Sequence, residues 1–280
     1  MPIRTNFRVH VAGPVCQLVS ERGGSVEAVL RRASMPPDAH ALPYVDVPLP
    51  TLHRFHEEAA NEIAEPLLGL KVGARLPTTT WDVMHMCCLS ARTLGDALAR
   101  LPALIALFNS WVELTVTQGK KEWTVDHRIS GEPLALSRHG NELWMSTLME
   151  QMKRVAGAVS PTQVWFAHPR PRVAKEVAKW FGVAEISWGA GSSGLALRAD
   201  DVARPLQSSD PVMFQVLEKL TAQVLKTTSP KKGVTAPHFE PIASAYHPKN
   251  IAEARTAPHA THLVVRSIVV AIGFLLTVST

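Results

Sequence analysis

The sequence predicts an α+β fold: an N-terminal helical part is followed by a small, mostly antiparallel sheet with packed helices. Three observations predict this fold. In successive segments up to residue 108, apolar residues recur at the spacing of a helix. The period then changes to two in residues 111–117 and 122–126, which predicts a hairpin that turns at residues 118–121. Beyond this hairpin, helical and strand patterns alternate up to residue 227.

The helical part contains five segments with a helical pattern and one apolar, Met-rich segment. Ser25, Thr51 and Thr93 stand at the starts of three of these segments and are suited to the N-cap position. Pro102 interrupts the last helical pattern and favours a separate turn there. Prolines between residues 36 and 50 indicate a loop. The predicted helices are residues 15–20, 25–33, 51–63, 65–73 and 94–108, and the Met-rich segment is 81–90.

The second part is predicted to build the sheet and its covering helices. A Gly-rich segment, residues 189–194, is not followed by a helical pattern, which a phosphate-cradling loop would need. We therefore interpret this segment as a hairpin loop between two strands. The predicted strands after the first hairpin are residues 162–166, 183–188 and 194–198, and the predicted helices are 141–159, 173–181 and 210–227.

Composition divides the chain after Thr228. The net charge is +5 in 280 residues, but five basic and two acidic residues lie from Ser229 onward, so the preceding 228 residues carry only +2. Prolines and histidines are also frequent in this last segment. We predict one regulatory domain at residues 1–228 and an irregular tail at 229–280. Disorder, truncation and a frameshift are the three alternatives for the tail.

Cysteine usage and hydropathy indicate the compartment. The chain has three cysteines, two of them adjacent, and this odd number argues against a disulfide framework. The N-terminus lacks the apolar stretch of a secretory signal. We therefore expect a cytoplasmic protein. The C-terminal apolar run is too short to span a bilayer comfortably, although a membrane tether through residues 263–278 stays an alternative hypothesis.

The order of motifs in residues 165–211 resembles the effector-binding N-terminal domain of AraC-type transcription regulators. These motifs are a His168-Pro169 turn, a helix that stops at Phe181-Gly182, two strands and an Asp210-Pro211 exit. Residues 66–73 are similar to the Pro-x-Leu-Gly-Leu-x-x-Gly pattern of that family, with Glu65 in place of its Asp. Residues 90–98 are similar to its Ser-Ser-Pro-Thr-Leu helix start, with Arg92 in place of Pro. The resemblance covers residues 11–227.

The resemblance implies a sensor of a small-molecule effector that controls promoter binding by allostery and acts as a homodimer. In this family the DNA is bound by two C-terminal helix-turn-helix units, and no such pattern is discernible after Thr228. We therefore expect DNA binding only through a helix-turn-helix domain that this chain lacks. The sequence shows no Ser-His-Asp arrangement, paired carboxylates or P-loop, so we do not expect an enzyme or a cofactor.

An effector pocket is expected between the sheet and its helices. Trp111, Trp144 and Trp165 lie on the hairpin, the long helix and a central strand, where apolar walls are needed. Met84 and His85 from the Met-rich segment complete the predicted pocket.

The Met-rich segment also supports an alternative hypothesis. His85, Cys87 and Cys88 combine imidazole with sulfur, a donor set suited to a thiophilic metal or a redox sensor. Core packing is the other interpretation of these residues, since Cys behaves as a small apolar side chain. Elsewhere, His53 and His56 share one helical face, which we interpret as solvated. For His168 we expect a bond to nearby backbone within its turn.

Overall fold

The computed structural model describes residues 6–77, 82–109 and 111–228. The α+β prediction is confirmed, while the predicted tail lies outside these residues. The helices described are α1 (Ala12–Glu21), α2 (Val26–Ala33), α3 (Leu49–Glu62), α4 (Leu68–Arg75), α5 (Asp82–Ser90), α6 (Leu94–Phe108), α7 (Ser137–Ala156), α8 (Ala174–Phe181), α9 (Ala199–Val202) and α10 (Pro211–Thr228). The strands are β1 (Asn6–Val9), β2 (Val45–Pro48), β3 (Val112–Gln118), β4 (Glu122–Ile129), β5 (Gln163–Phe166), β6 (Ser187–Trp188) and β7 (Ser193–Arg198).

Two of the three predicted N-caps are confirmed. The Ser25 hydroxyl accepts a hydrogen bond from the Ala28 amide at 3.2 Å, and Thr93 accepts one from the Asp96 amide at 3.0 Å. The prediction for Thr51 is wrong, because α3 already begins at Leu49 after Pro48. The predicted turn at Pro102 is also wrong: α6 continues through it, and its buried apolar face offsets the cost of the proline.

The sequence patterns did not predict the ribbon formed by β1 and β2, which pair antiparallel with Phe7 opposite Val47. Alternating burial along β2 places Val45 and Val47 in the core. This ribbon packs with α1, α2 and α3 in the first of two apolar clusters, and the helices α5 and α6 pack with the sheet in the second. Both clusters belong to one compact unit, Met1–Thr227.

The main sheet has the strand order β3-β4-β7-β5-β6. The predicted hairpin is confirmed as β3 and β4, with Val116 opposite Val125. The predicted hairpin loop at residues 189–194 is wrong, because β5 lies between the two strands that this segment joins. β6 pairs with β5 in parallel, whereas β7 pairs with β5 antiparallel. Residues 189–192 therefore cross over β5 from one neighbour to the other.

Helix α7 lies against the backbone of α4 at two glycines. A Cβ at Gly69 would overlap the carbonyl oxygen of His139, and one at Gly73 would overlap that of Leu143. Side chains of α7 use this proximity: the Ser146 hydroxyl donates to the Leu70 carbonyl at 2.9 Å. Arg154 donates to the carbonyls of Ala74 and Leu76, which have no partner within α4. The glycines thus allow α7 to bond directly with the backbone of α4.

We expect Gly69→Ala to lower the free energy of unfolding by about 1–3 kcal/mol, the usual cost of an added methyl in a packed core. Alanine is the better helix former, but its Cβ would overlap backbone atoms of His139, which cannot move away as a flexible side chain could. Urea unfolding of the full chain measures the change. Gly191→Ala is the matched control, since no atom lies within 4 Å of a Cβ there. Equal stability of the two variants would contradict the close-packing account.

Candidate functional site

An apolar cavity of about 80 Å³ lies where the two clusters meet. Its walls come from β1, α3, α6, β3, β4 and α7. The apolar lining residues are Phe7, Val9, Val11, Leu52, Ile105, Val112, Leu136, Leu143 and Trp144, and the others are Arg8, His10, His56, Asn109, His127 and Gly140. Because ligand pockets combine apolar walls with a few polar groups, this cavity is the candidate site.

His127 is the most buried polar group of this wall, with 1% of its surface exposed. β4 turns it toward α7, where its ring lies 5.8 Å from the ring of Trp144. Its Nδ1 lies 3.2 Å from the Ser193 carbonyl oxygen, which can only accept a hydrogen bond. Nδ1 therefore carries the proton, and Nε2 is an acceptor that has no partner in the described structure.

Asn109 supplies a hydrogen-bond donor, whereas His127 supplies an acceptor. Its Oδ1 accepts a hydrogen bond from the Trp111 amide at 3.4 Å, which leaves Nδ2 as the buried atom with no partner in the described structure. His56 also lines the cavity, with both ring nitrogens buried and without partners among the described residues. Since buried polar groups are normally hydrogen-bonded, these three side chains are suited to bind a ligand.

The cavity disfavours positive charge. Burial lowers the pKa of His127 to about 4 and, with the neighbouring charges of His139 and His53, that of His56 to about 3. Burial and the nearby Arg8 lower the pKa of His10 to about 4. All three imidazoles are neutral at pH 7. The Arg8 guanidinium is held by Asp46, with Nε 3.2 Å from Oδ1, and lies 4.3 Å from the centre of the Tyr44 ring.

The structure brings one of the five predicted pocket residues to this cavity. Trp144 lines it, whereas Trp111, Trp165, Met84 and His85 are not among its lining residues. Val164 and Phe166 point into the core from one face of β5. Trp165 lies between them in the sequence and therefore points to the other face of the sheet. Trp111 is 41% exposed.

The other two predicted residues are on α5. Met84 packs in the second apolar cluster and His85 is half-buried. Burial, together with the charge of Arg154, lowers the pKa of His85.

Burial disfavours the thiolate form of both cysteines on α5. Burial raises the pKa of Cys87 to about 11 and that of Cys88, helped by Cys87, to about 12. The protonated thiol is a poor ligand and a poor nucleophile. Within the described residues, no three His, Cys, Asp or Glu side chains are placed to hold a metal ion. His85, Cys87 and Cys88 therefore do not converge on a common point.

The interpretation of the α3 histidines is wrong. His56 is buried, and the His53 Nε2 lies 3.0 Å from the Ala135 carbonyl oxygen. Helical spacing placed the two residues on one face but could not show that α7 covers it. His168 does contact its own turn, with Nδ1 3.0 Å from the Pro169 carbonyl oxygen. His127 could have been found from the sequence, because it lies two residues from Val125 and from Ile129 and therefore shares their core-facing side of β4.

A second cavity of about 150 Å³ lies between α7 and α8. Lys153, Lys179 and Ser160 line it together with Trp180. It is larger, but the described structure leaves no buried polar side-chain atom of its lining residues without a partner. The apolar cavity is therefore the stronger candidate. None of the described helices has the length and hydropathy needed to cross a membrane, and the proposed tether at residues 263–278 lies outside the described residues.

Comparison with known proteins gives the family. The arabinose-binding domain found at the N-terminus of AraC transcription regulators matches residues 23–206, and the chain belongs to this family. The ornithine utilization regulator of Pseudomonas aeruginosa is 26% identical over 234 residues, which span 81% of this chain and 67% of that protein. The transcriptional regulator CdpR of the same organism has a similar fold, with a TM-score of 0.52 and 15% identity over 78% of this chain and 71% of that one.

The buried histidines predict a loss of stability in acid. Their folded pKa values lie below the ordinary value of 6.5, so the unfolded chain binds more protons between about pH 6.5 and pH 4. Stability is then full above pH 6.5 and falls as the pH drops toward 4. We expect His127→Gln to reduce this slope by up to about 1.4 kcal/mol per pH unit in urea unfolding. The exposed His40→Gln is the control, and identical slopes for both variants would refute the account.

The raised thiol pKa values predict slow alkylation. At pH 7.5 we expect iodoacetamide to modify Cys87 roughly 100-fold more slowly in the folded chain than in urea, because a rise from 9.0 to about 11 removes most of the thiolate. Intact-mass spectrometry counts the modified thiols, and Cys16, whose pKa burial also raises to about 11, is the internal comparison. Rapid alkylation of Cys87 or Cys88 in the folded chain would instead favour the redox-sensor hypothesis.

Proposed function

We propose that this effector-binding domain holds a small molecule in the apolar cavity and thereby controls promoter binding of an AraC-type regulator. The observation that carries the proposal is the set of buried polar atoms at His127, Asn109 and His56, which have no hydrogen-bond partner among the described residues and lie in a mostly apolar wall. A ligand that bonds with them removes a cost of about 1–3 kcal/mol for each unpaired group.

The position of the cavity suggests how binding is transmitted. Its walls join β1 and α3 of the first cluster to α6, β3 and β4 of the second, with α7 between them. A ligand that fits one arrangement of these walls better than another shifts the population toward that arrangement. The proposed output is a change in dimer geometry or in domain docking, and so in promoter affinity.

The proposal extends to the assembly and its partners. We infer a cytoplasmic homodimer in which helix-turn-helix units outside residues 1–228 bind the DNA. The similar regulator from Pseudomonas aeruginosa is named for ornithine utilization, so a diamino acid is the alternative class of effector. No catalytic role is proposed, because the relatives that support the family are transcription regulators.

Native mass spectrometry of the full chain, purified from its own cells, tests the proposal. We expect a dimer that carries a co-purifying small molecule. Val112→Phe adds a ring to the cavity wall and should expel that molecule. Val116→Phe is the matched control, since Val116 lies on the same face of β3 but does not line the cavity. A bound molecule that both variants retain, or none in any preparation, would contradict the proposal.

A further inference from the structure

The polar atoms and charges of the cavity limit the chemical class of its occupant. We propose that the effector is an uncharged, compact and largely apolar molecule that carries at least one hydroxyl group. This inference rests on the proposed function of the cavity as the effector site and specifies which class of small molecule that site accepts.

Charge is the first restriction. Among the described residues that line the cavity there is no carboxylate that could pair with an ammonium group. The one guanidinium, that of Arg8, already pairs with Asp46 and stacks on Tyr44, so an anion would have to compete for it. A charged group inside apolar walls and without a partner is strongly disfavoured. The walls therefore select against amines and, less strongly, against carboxylates.

Hydrogen bonding is the second restriction. The Nε2 of His127 is an acceptor, because Nδ1 donates to Ser193, so its ligand must offer an O–H or N–H group. The Nδ2 of Asn109 is a donor, because Oδ1 is held by the Trp111 amide, so its ligand must offer a lone pair. A hydroxyl is the simplest group that offers both functions, since it donates one hydrogen bond and accepts others. A ketone or an ether would serve Asn109 and leave His127 unpaired.

Size is the third restriction. The cavity of about 80 Å³ is roughly half the volume of an engineered apolar cavity of about 150 Å³ that binds benzene. A single small ring or a short branched chain is therefore the largest body that it accepts. Most of this volume is bounded by aliphatic and aromatic side chains such as Leu52, Leu143 and Trp144, so the body of the molecule must be apolar.

Four probes with one shared ring test the proposal: phenol, toluene, benzylamine and benzoate. They have similar shapes and differ in charge and in hydrogen bonding. Isothermal titration calorimetry of the full chain should show the tightest binding for phenol, weaker binding for toluene, and no measurable binding for benzylamine. Tighter binding of benzylamine or benzoate than of phenol, or equal binding of phenol and toluene, would overturn the proposed class.

Two variants test the residues. His127→Phe should weaken phenol about 3- to 10-fold, to the level of toluene, while leaving toluene unchanged, as the loss of one neutral hydrogen bond predicts. Asn109→Leu should also weaken the binding of phenol. It replaces His127→Phe in the test if circular dichroism shows that His127→Phe does not fold. His40→Phe, on the surface, is the control and should not alter either affinity. Unchanged preference for phenol in both cavity variants would refute the assignment.

The failure of this proposal can be distinguished from that of the proposed function. If none of the four probes binds, but the purified chain carries a cellular molecule that Val112→Phe expels, the cavity is the effector site and the proposed class is wrong. If Val112→Phe leaves the binding of phenol and of any cellular molecule unchanged, the cavity is not the effector site and both proposals fail.

Discussion

The close approach of α4 and α7 determines the position of the elements that form the candidate site. It is possible because Gly69 and Gly73, one helical turn apart, have no side chain where the carbonyls of His139 and Leu143 lie. Ser146 and Arg154 then donate to the carbonyls of Leu70 and Ala74 in α4, so the contact is both packed and hydrogen-bonded. Because α7 is held along one side by backbone, its remaining faces have little freedom to turn.

The cavity follows from the orientation of α7. Leu143 and Trp144 face the ribbon and the sheet, and Gly140 leaves room beside His56. β4 brings His127 to the same place from the other side, since His127 shares the core-facing side of the strand with Val125 and Ile129. Small changes in how α7 lies on α4 would therefore change the cavity and the sheet contact together. In the proposed function, this coupling links the bound effector to the rest of the domain.

The sequence predicted what depends on local pattern and missed what depends on distant contacts. The hairpin of β3 and β4 was predicted because a period of two persists through both strands, and Ser25 and Thr93 because capping is local. The ribbon of β1 and β2 was missed, since its strands have four residues each and pair across about forty positions. Of the candidate site, only Trp144 was predicted. The prediction for Trp165 used the position of its strand but not the alternation of side chains along that strand, which turns Trp165 away from this cavity.

Under the proposed function, the buried histidines of the cavity serve binding and not stability. Apolar residues of similar shape could replace His56 and His127 without the loss of a charge or an ion pair. Such a core would also lack the ring nitrogens that have no partner in the described structure. Each such atom costs about 1–3 kcal/mol in a protein whose whole stability is only about 5–15 kcal/mol. A ligand that bonds with these atoms offsets that cost, so in the proposed function the free and bound states differ in free energy. A difference of this size is what an allosteric sensor needs in order to respond to its ligand.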